Sequence, residues 1–331
     1  MVKIFFKDVG QGDSILLEWE DDYGVKIGII DCNIYNSKNP ILDHIIENKL
    51  REIEFMILSH PHKDHFSGFK ELLNYCRNNN INTKHFYHTA QTTPDYLKSA
   101  SRSIEGDTQL FELFILLKDM KKKGQLEVYA IDDNPHLKIP LGKEFTMEVL
   151  SPSSIEIDKY IRGVKYPFDE EDSTANPNAN WLSTVLKIYN DERTVILTSD
   201  VESNILSRLG KRKNGRVGVN KISLAQAPHH GSKRNLNKAF WSMRKRNPLT
   251  PIVISVGENS YGHPSNEVID FFNGIPNYHV ERTDSITSSK ILDENQQQIS
   301  TTLDLFSSKK EEIHISKDIV YILSGDSLIK K

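Results

Sequence analysis

The sequence predicts an α/β fold whose chemistry-bearing residues gather at the ends of buried strands. Near-continuous apolar runs alternate with segments of helical period, the pattern of strands packed against helices. The runs stop at polar residues: "VKIGIID" ends at Asp31, "EFMILS" leads straight into "HPHKDHFSG", and "TVILTSD" ends at Asp200. With 331 residues, 37% of them apolar and 26% charged, the chain has the balance of a soluble globular protein with a real core. At roughly 150 residues per domain, length alone would suggest two domains. Without repeats or a clear linker, one large α/β domain is the simpler organisation.

The elements follow in order. "KIFFKDV" and "SILLEWE" flank the turn Gly10-Gln11-Gly12-Asp13 as a hairpin-like pair. After the strand ending at Asp31, Pro40 opens a helix whose buried stripe is Ile41, Leu42, Ile45, Ile46 and Leu50. "EFMILS" is the next buried strand. Beyond the histidine cluster, Phe69, Leu72, Leu73 and Cys76 fall at helical spacing, which makes Cys76 a core residue. A second amphipathic helix runs through Leu110, Phe111, Leu113, Phe114 and Leu117 and stops at "KKKG", where lysines suit a helix C-terminus. "FTMEVLSP", "STVLKIY", "TVILTSD", "KISLAQA" and "IVISVG" read as strands, and Ser265 caps a short helix. Past about Asp284 the sequence turns Ser/Thr/Gln-rich before a last strand, "DIVYILS".

Several classes are excluded or disfavoured. No apolar run approaches the roughly 18 residues that a membrane span needs. The N-terminus reads as a first strand and not as a signal peptide, and two cysteines are too few for a disulfide framework or a cysteine zinc site. A cytoplasmic protein without membrane contact is expected. The net charge of −3 hides an asymmetry. Residues 203–257 contain no Asp or Glu yet carry twelve Lys and Arg, so the remainder is strongly acidic. A basic segment in an acidic chain points to an anionic partner or to a plain solvated face.

"HPHKDH" packs His60, His62, Asp64 and His65 into six residues at a strand end. His60 and His62 are two apart, so in extended chain they point the same way and can share one metal. Asp64 and His65, beyond the turn toward the helix, favour a second ion nearby. Imidazole and carboxylate donors suit zinc, manganese or iron better than calcium or magnesium. Asp200 is the natural bridging carboxylate, and His229 or His230 of "APHHGSKRN" completes the second ion. Neighbours on an extended chain face opposite ways, so one of this pair is expected to reach the metal.

These segments resemble the metallo-β-lactamase superfamily, and more closely the hydrolase domain of the competence protein ComEC and its stand-alone relatives. "DVGQGDSILLE", "IIDCN", "LSHPHKDHFSG", "NWLSTVLKI", "VILTSDVE", "APHHGS", "YGHPSNEVI" and "VERTD" occur in the family's order between Lys3 and Asp284. The resemblance implies a four-layered αββα fold of two mixed sheets between helices, with a hydrolase domain over 1–285. A helical insertion is expected near 92–127, and a C-terminal extension, 286–331, is expected to pack on the same domain. It implies two divalent ions, zinc or manganese: His60 and His62 on the first, Asp64, His65 and His230 on the second, and Asp200 bridging. His229 then faces away, as a structural histidine or one that orients its neighbour.

Many superfamily members have a further histidine before the bridging aspartate. Here His85, His88 and His136 are the candidates, and none sits at a convincing strand end. The ComEC-like pattern has Asn and Ser in that region, matched by Asn180 and Ser183. The first ion is therefore expected to be weakly held, partly by water or substrate.

Two such ions suit phosphodiester cleavage. Asp64 either binds metal or orients the attacking water. His263 of "YGHP" is a candidate proton donor or phosphate contact, and Tyr261, Asn180, Ser183 and His229 are candidate substrate contacts. Ser232, Lys233 and Arg234, just past His230, form the near edge of a phosphate-binding surface. The expectation is a nuclease acting on DNA, or on RNA, through backbone contacts without sequence-specific reading. The alternatives are a small-molecule hydrolase, such as a phosphorylcholine esterase or lactonase, and a non-cleaving nucleic-acid-binding module of a defence complex, with a protein partner.

Overall fold

Alternation along the strands divides the apolar residues among three cores, and three cores require four layers. The computed structural model describes residues 1–89, 104–165, 178–211, 217–218, 220–284, 318–325 and 327–331. One sheet runs in the order β15 (Ser327–Lys330), β14 (Ile319–Ser324), β1 (Val2–Phe6), β2 (Ile15–Asp21), β3 (Gly24–Ile30), β4 (Glu52–Leu58), β5 (Asn82–His88) and β6 (Glu127–Ala130). The other runs β13 (Tyr278–Arg282), β12 (Thr250–Ile254), β11 (Lys221–Gln226), β10 (Arg193–Leu197), β9 (Val185–Tyr189), β8 (Phe145–Ser151) and β7 (Lys138–Leu141).

Because strand side chains alternate between faces, each sheet feeds two cores. On β2, Leu16 joins the outer core while Ile15 and Leu17 point between the sheets. On β10, Val195 and Leu197 meet them there, and Ile196 faces the opposite outer core. The first outer core is closed by the helices Pro40–Glu47, Phe69–Asn78 and Ile104–Lys122, through Ile41, Ile45, Leu72, Cys76, Leu113 and Leu117 among others. The second is closed by Ser203–Lys211, Lys238–Ser242 and Asn266–Gly274, through Ile205, Leu209, Trp241 and Phe272. This is the αββα architecture that the metallo-β-lactamase resemblance implies.

Local sequence accounts for several boundaries. Pro40 opens its helix at the first turn, with Asn39 accepting from the Leu42 amide at 3.2 Å. Ser265 likewise caps Asn266–Gly274. β1 and β2 pair antiparallel, as the hairpin reading expects, across a connecting loop that includes Gly10 to Asp13. The expected 92–127 insertion lies outside the described residues up to 103; its described part is the helix from Ile104 and the start of β6. Of the expected C-terminal extension, β14 pairs antiparallel with β1.

Both sheets are mixed, and their parallel halves matter for function. β3, β4 and β5 run parallel in one sheet, and β10, β11 and β12 in the other. Segments leaving the carboxyl ends of these strands converge between the sheets, the usual place for a ligand site in α/β folds. The convergence is stitched across. Thr184 donates to the Ser59 carbonyl through both its amide and its hydroxyl, at 3.1 and 2.9 Å. Gln226 donates to Asp13 at 2.9 Å. Gly257 lies so near Gly10 that a Cβ on it would stand 2.3 Å from the Gly10 Cα.

Candidate metal centre

Four polar segments meet at this convergence. "HPHKDH" leaves β4 and enters the short helix Lys63–Phe66. Asp200 follows β10, "PHHG" follows β11, and Asp13 ends the loop between β1 and β2. His60, His65, Asp13, Asp200 and His230 are all buried.

Asp200 stands at the centre. Its Oδ1 lies 3.6 Å from His65 Nε2 and 3.3 Å from His230 Nε2. Its Oδ2 lies 3.7 Å from His60 Nε2 and 3.3 Å from His229 Nε2. Donor atoms of Asp13, His65, Asp200 and His230 all fall within 4.8 Å of one another, and so do those of His60, His62 and Asp200. Asp64 belongs to the first of these neighbourhoods, with Oδ2 3.5 Å from His230 Nε2 and 3.9 Å from His65 Nε2.

The donor set fits metal ions. Imidazole and carboxylate are the ligands that zinc, manganese and iron take. His65 Nε2, His230 Nε2 and Asp200 Oδ1 are buried without a hydrogen bond, which is costly unless a ligand occupies the space between them. The far side of each ring is anchored. His65 Nδ1 is 2.7 Å from Asp31 Oδ2, and His230 Nδ1 is 2.9 Å from the Ser255 carbonyl. His60 Nδ1 is shared by the hydroxyls of Ser59 and Ser199 at 3.2 and 3.3 Å. Anchoring one ring nitrogen sets the tautomer and aims the other, as outer partners of metal ligands do.

The electrostatics agree with a shared negative centre. Burial opposes ionisation of Asp200, but His229, His230 and His65 around it outweigh burial and hold its carboxyl well below the usual range. Burial likewise opposes a charge on His230, yet Asp200 and Asp64 raise its pKa to about 9. His60 goes the other way, pushed well down by burial and then by its neighbours His65 and His62.

The histidine doublet departs from the expectation of one ring in and one ring out. That expectation assumes extended chain, but His229 and His230 both have left-handed backbone, at φ 48° and 52°. Such conformations are uncommon for non-glycine residues and cost on the order of 1–2 kcal/mol each. Alternation is lost, so both rings turn toward Asp200. Gly231 continues the left-handed stretch at φ 82°, and a Cβ there would meet the Pro264 side chain at 2.6 Å. Gly231→Ala is therefore expected to lower stability by about 2 kcal/mol or more. It should also weaken binding at both ligand groups together, which parallel denaturant melts and metal titrations would measure.

The remaining expected residues divide clearly. An open cleft of about 1390 Å³ lies over the centre, and His62, Asp64, Asn180, Ser232, Lys233, Arg234, Tyr261 and His263 line it with Asp200 and His229. Tyr261 is exposed and stacked near His263, with ring centroids 6.2 Å apart. Ser183 is fully buried and does not line the cleft. His88 packs edge-on against Phe114, and His136 is exposed in a loop, so neither joins the centre.

Four residues of the basic segment are engaged elsewhere. Arg208 pairs with Glu156, Lys238 pairs with Glu267, and Arg244 and Arg246 lie over the rings of Phe240 and Tyr278. Arg212, Lys213 and Arg216 lie outside the described residues. Of the described ones, Lys233 and Arg234 reach the cleft. Sequence reasoning missed Asp13, Asp31 and Asn235. The first two close the quoted motifs "GQGD" and "IID", so a strand-end acid beside a metal motif was the available signal. Asn235 had none.

No family model and no curated protein matches the chain. Among solved structures it is similar to the metallo-beta-lactamase fold protein YhfI from Bacillus subtilis, at TM-score 0.45 and 11% identity, covering 86% of this chain and 98% of that one. It is also similar to Zn(2+)-bound PqqB from Methylobacterium extorquens, at TM-score 0.44 and 8% identity, covering 86% and 99%. A long form RNase Z from yeast aligns at TM-score 0.36 and 12% identity, covering 87% of this chain and 39% of that one. At these values the layers and ligand geometry, not the neighbours, define the site.

Proposed function

We propose that this chain, an αββα protein with a shared-carboxylate metal centre beneath an open cleft, is a metal-dependent hydrolase of phosphodiester bonds in DNA or RNA. The observation that carries the reading is the split of Asp200, one oxygen to each of two groups of imidazoles. Two divalent ions held there would lower the pKa of a water and offset charge on the phosphoryl oxygens.

The protein's own residues do the rest. His60, His62 and Asp200 would hold one ion, and His65, His230, Asp13 and Asp200 the other. Asp64, partly exposed at the cleft floor, is placed either to complete the second group or to orient the attacking water. His263 lies at the cleft wall with its ring 5.6 Å from His229, and burial followed by His229 and His230 lowers its pKa. That shift favours the neutral ring, which suits hydrogen bonding to substrate better than a fixed positive charge. Lys233 and Arg234 supply phosphate contacts at the rim. The resemblance to the competence-protein hydrolase domain points to the same substrate class.

A second reading rests on the cleft wall. Asn33, Asn36, Asn178, Asn180 and Asn235 are neutral amides, and Lys63, Lys233 and Arg234 are the cations that line it. That composition also suits a small polar ester. The two readings separate in an assay of single- and double-stranded DNA and RNA across metals including manganese, beside a small chromogenic phosphodiester and with Asp200→Ala as control. Survival of every nucleic acid would end the nuclease reading. The Lys233→Ala/Arg234→Ala variant is expected to raise KM for DNA several-fold and to flatten its salt dependence by a slope of about 1.4 for single strands. Turnover of the small ester should be unchanged. Equal kinetics on DNA would favour the small-ester hydrolase.

A further inference from the structure

The sequence lacks the histidine that many superfamily members place between "HPHKDH" and the bridging aspartate, and the fold brings His229 to the Asp200 oxygen that His60 also faces. We propose that His229 supplies the third imidazole of the first ion through Nε2, so that both histidines of the doublet are metal ligands, one on each ion. The inference rests on the metal centre and is independent of the substrate.

Three observations meet at this residue. The first is position: His229 Nε2 and His60 Nε2 lie 3.3 and 3.7 Å from the same oxygen, Asp200 Oδ2, while His230 faces Oδ1. Ligands around a tetrahedral ion with bonds of 2.0–2.1 Å stand ~3.3 Å apart, as His229 Nε2 stands from Asp200 Oδ2. His229 lies beyond the tight group of His60, His62 and Asp200, so its ring must close on the ion when it binds. The second is the tautomer. Asn235 Nδ2 donates to the carbonyls of Asp200 and Val201, at 3.3 and 3.0 Å, which fixes the direction of its amide. Its Oδ1 is then presented to His229 Nδ1 at 3.1 Å, so Nδ1 carries the proton and the Nε2 lone pair faces the site. Asn180 also reaches Nδ1, at 3.2 Å through Nδ2; turning its amide would present its oxygen, which is buried without a hydrogen bond.

The third is the backbone. Two consecutive left-handed non-glycine residues are unfavourable, and their effect is to aim the His229 ring inward where an extended chain would aim it out. His229 also lines the cleft, its side chain 26% exposed, so the ion it helps to hold is the one open to substrate.

The test measures metal and not turnover. In zinc-loaded protein with ¹⁵N-labelled histidine, long-range proton–nitrogen spectra should show five metal-bound rings: His60, His62, His65, His229 and His230. One of them, with Nδ1 protonated and Nε2 bound, should vanish in His229→Gln. By titration with zinc or manganese, His229→Gln should weaken one of two ions by at least about tenfold, while His230→Gln weakens the other. Four bound rings in the wild type, or two ions held with unchanged affinity in His229→Gln, would overturn the assignment. The wild-type spectrum decides the matter even if the variant does not fold.

Discussion

Asp200→Ala is expected to empty both ligand groups at once and to bring phosphodiester cleavage to background, a loss on the order of a thousandfold or more. At about 1.36 kcal/mol per tenfold, that is ~4 kcal/mol of transition-state stabilisation. Its effect should be wide because, among the described residues, it is the candidate ligand common to both groups. His60 and His62 belong to one, His65 and His230 to the other, and Asp200 gives one oxygen to each. Removing its charge also leaves several buried imidazoles without their common counter-charge. Metal analysis by mass spectrometry, run beside the cleavage assay, checks the claim. If the variant still carries two tightly held ions, the shared-carboxylate centre is wrong.

Asp31 carries the second large expectation, although it touches no substrate. Its carboxylate is buried and accepts from the Ser59 amide at 2.7 Å, from the Ser59 hydroxyl at 2.6 Å and from His65 Nδ1 at 2.7 Å. Burial raises its pKa against the pull of His65, so the charge is held by its partners and not by water. Asp31→Ala leaves those donors without an acceptor and should cost about 3–5 kcal/mol of stability. With the His65 ring freed, binding at the second group should fall about 10–100-fold. Asp31→Asn keeps the shape and should lose less stability while still weakening metal binding. Denaturant unfolding and metal titration separate the two effects, and unchanged affinity in both variants would show that Asp31 does not orient His65.

Much of the centre was legible because its ligands are dense in sequence. "HPHKDH" holds four donors in six residues, and the apolar runs before it and before Asp200 mark the strand ends that position them. The layers were legible for a related reason, since alternation along β2 and β10 assigns neighbouring residues to different cores. What sequence could not reach was geometry set by contacts distant along the chain. Asp13 and Gln226 are far apart in sequence, and their hydrogen bond helps bring Asp13 to the centre. The inward turn of His229 depends on left-handed backbone that no local periodicity reveals. The basic segment was legible only as composition. Its acid-free composition was real, but Arg208 and Lys238 find their acids across the fold, at Glu156 and Glu267.

The close approach of Gly257 to Gly10 has a thermodynamic meaning. It lies where one sheet's loops meet the other's, and the two candidate ligand groups draw on both sides of that seam. An ion bound across the seam acts as a reversible cross-link between the halves of the sandwich. By mass action it adds about 2.7 kcal/mol to stability when free metal stands at a hundred times the dissociation constant. How firmly the two sheets hold together is then a function of the metal supply around the protein.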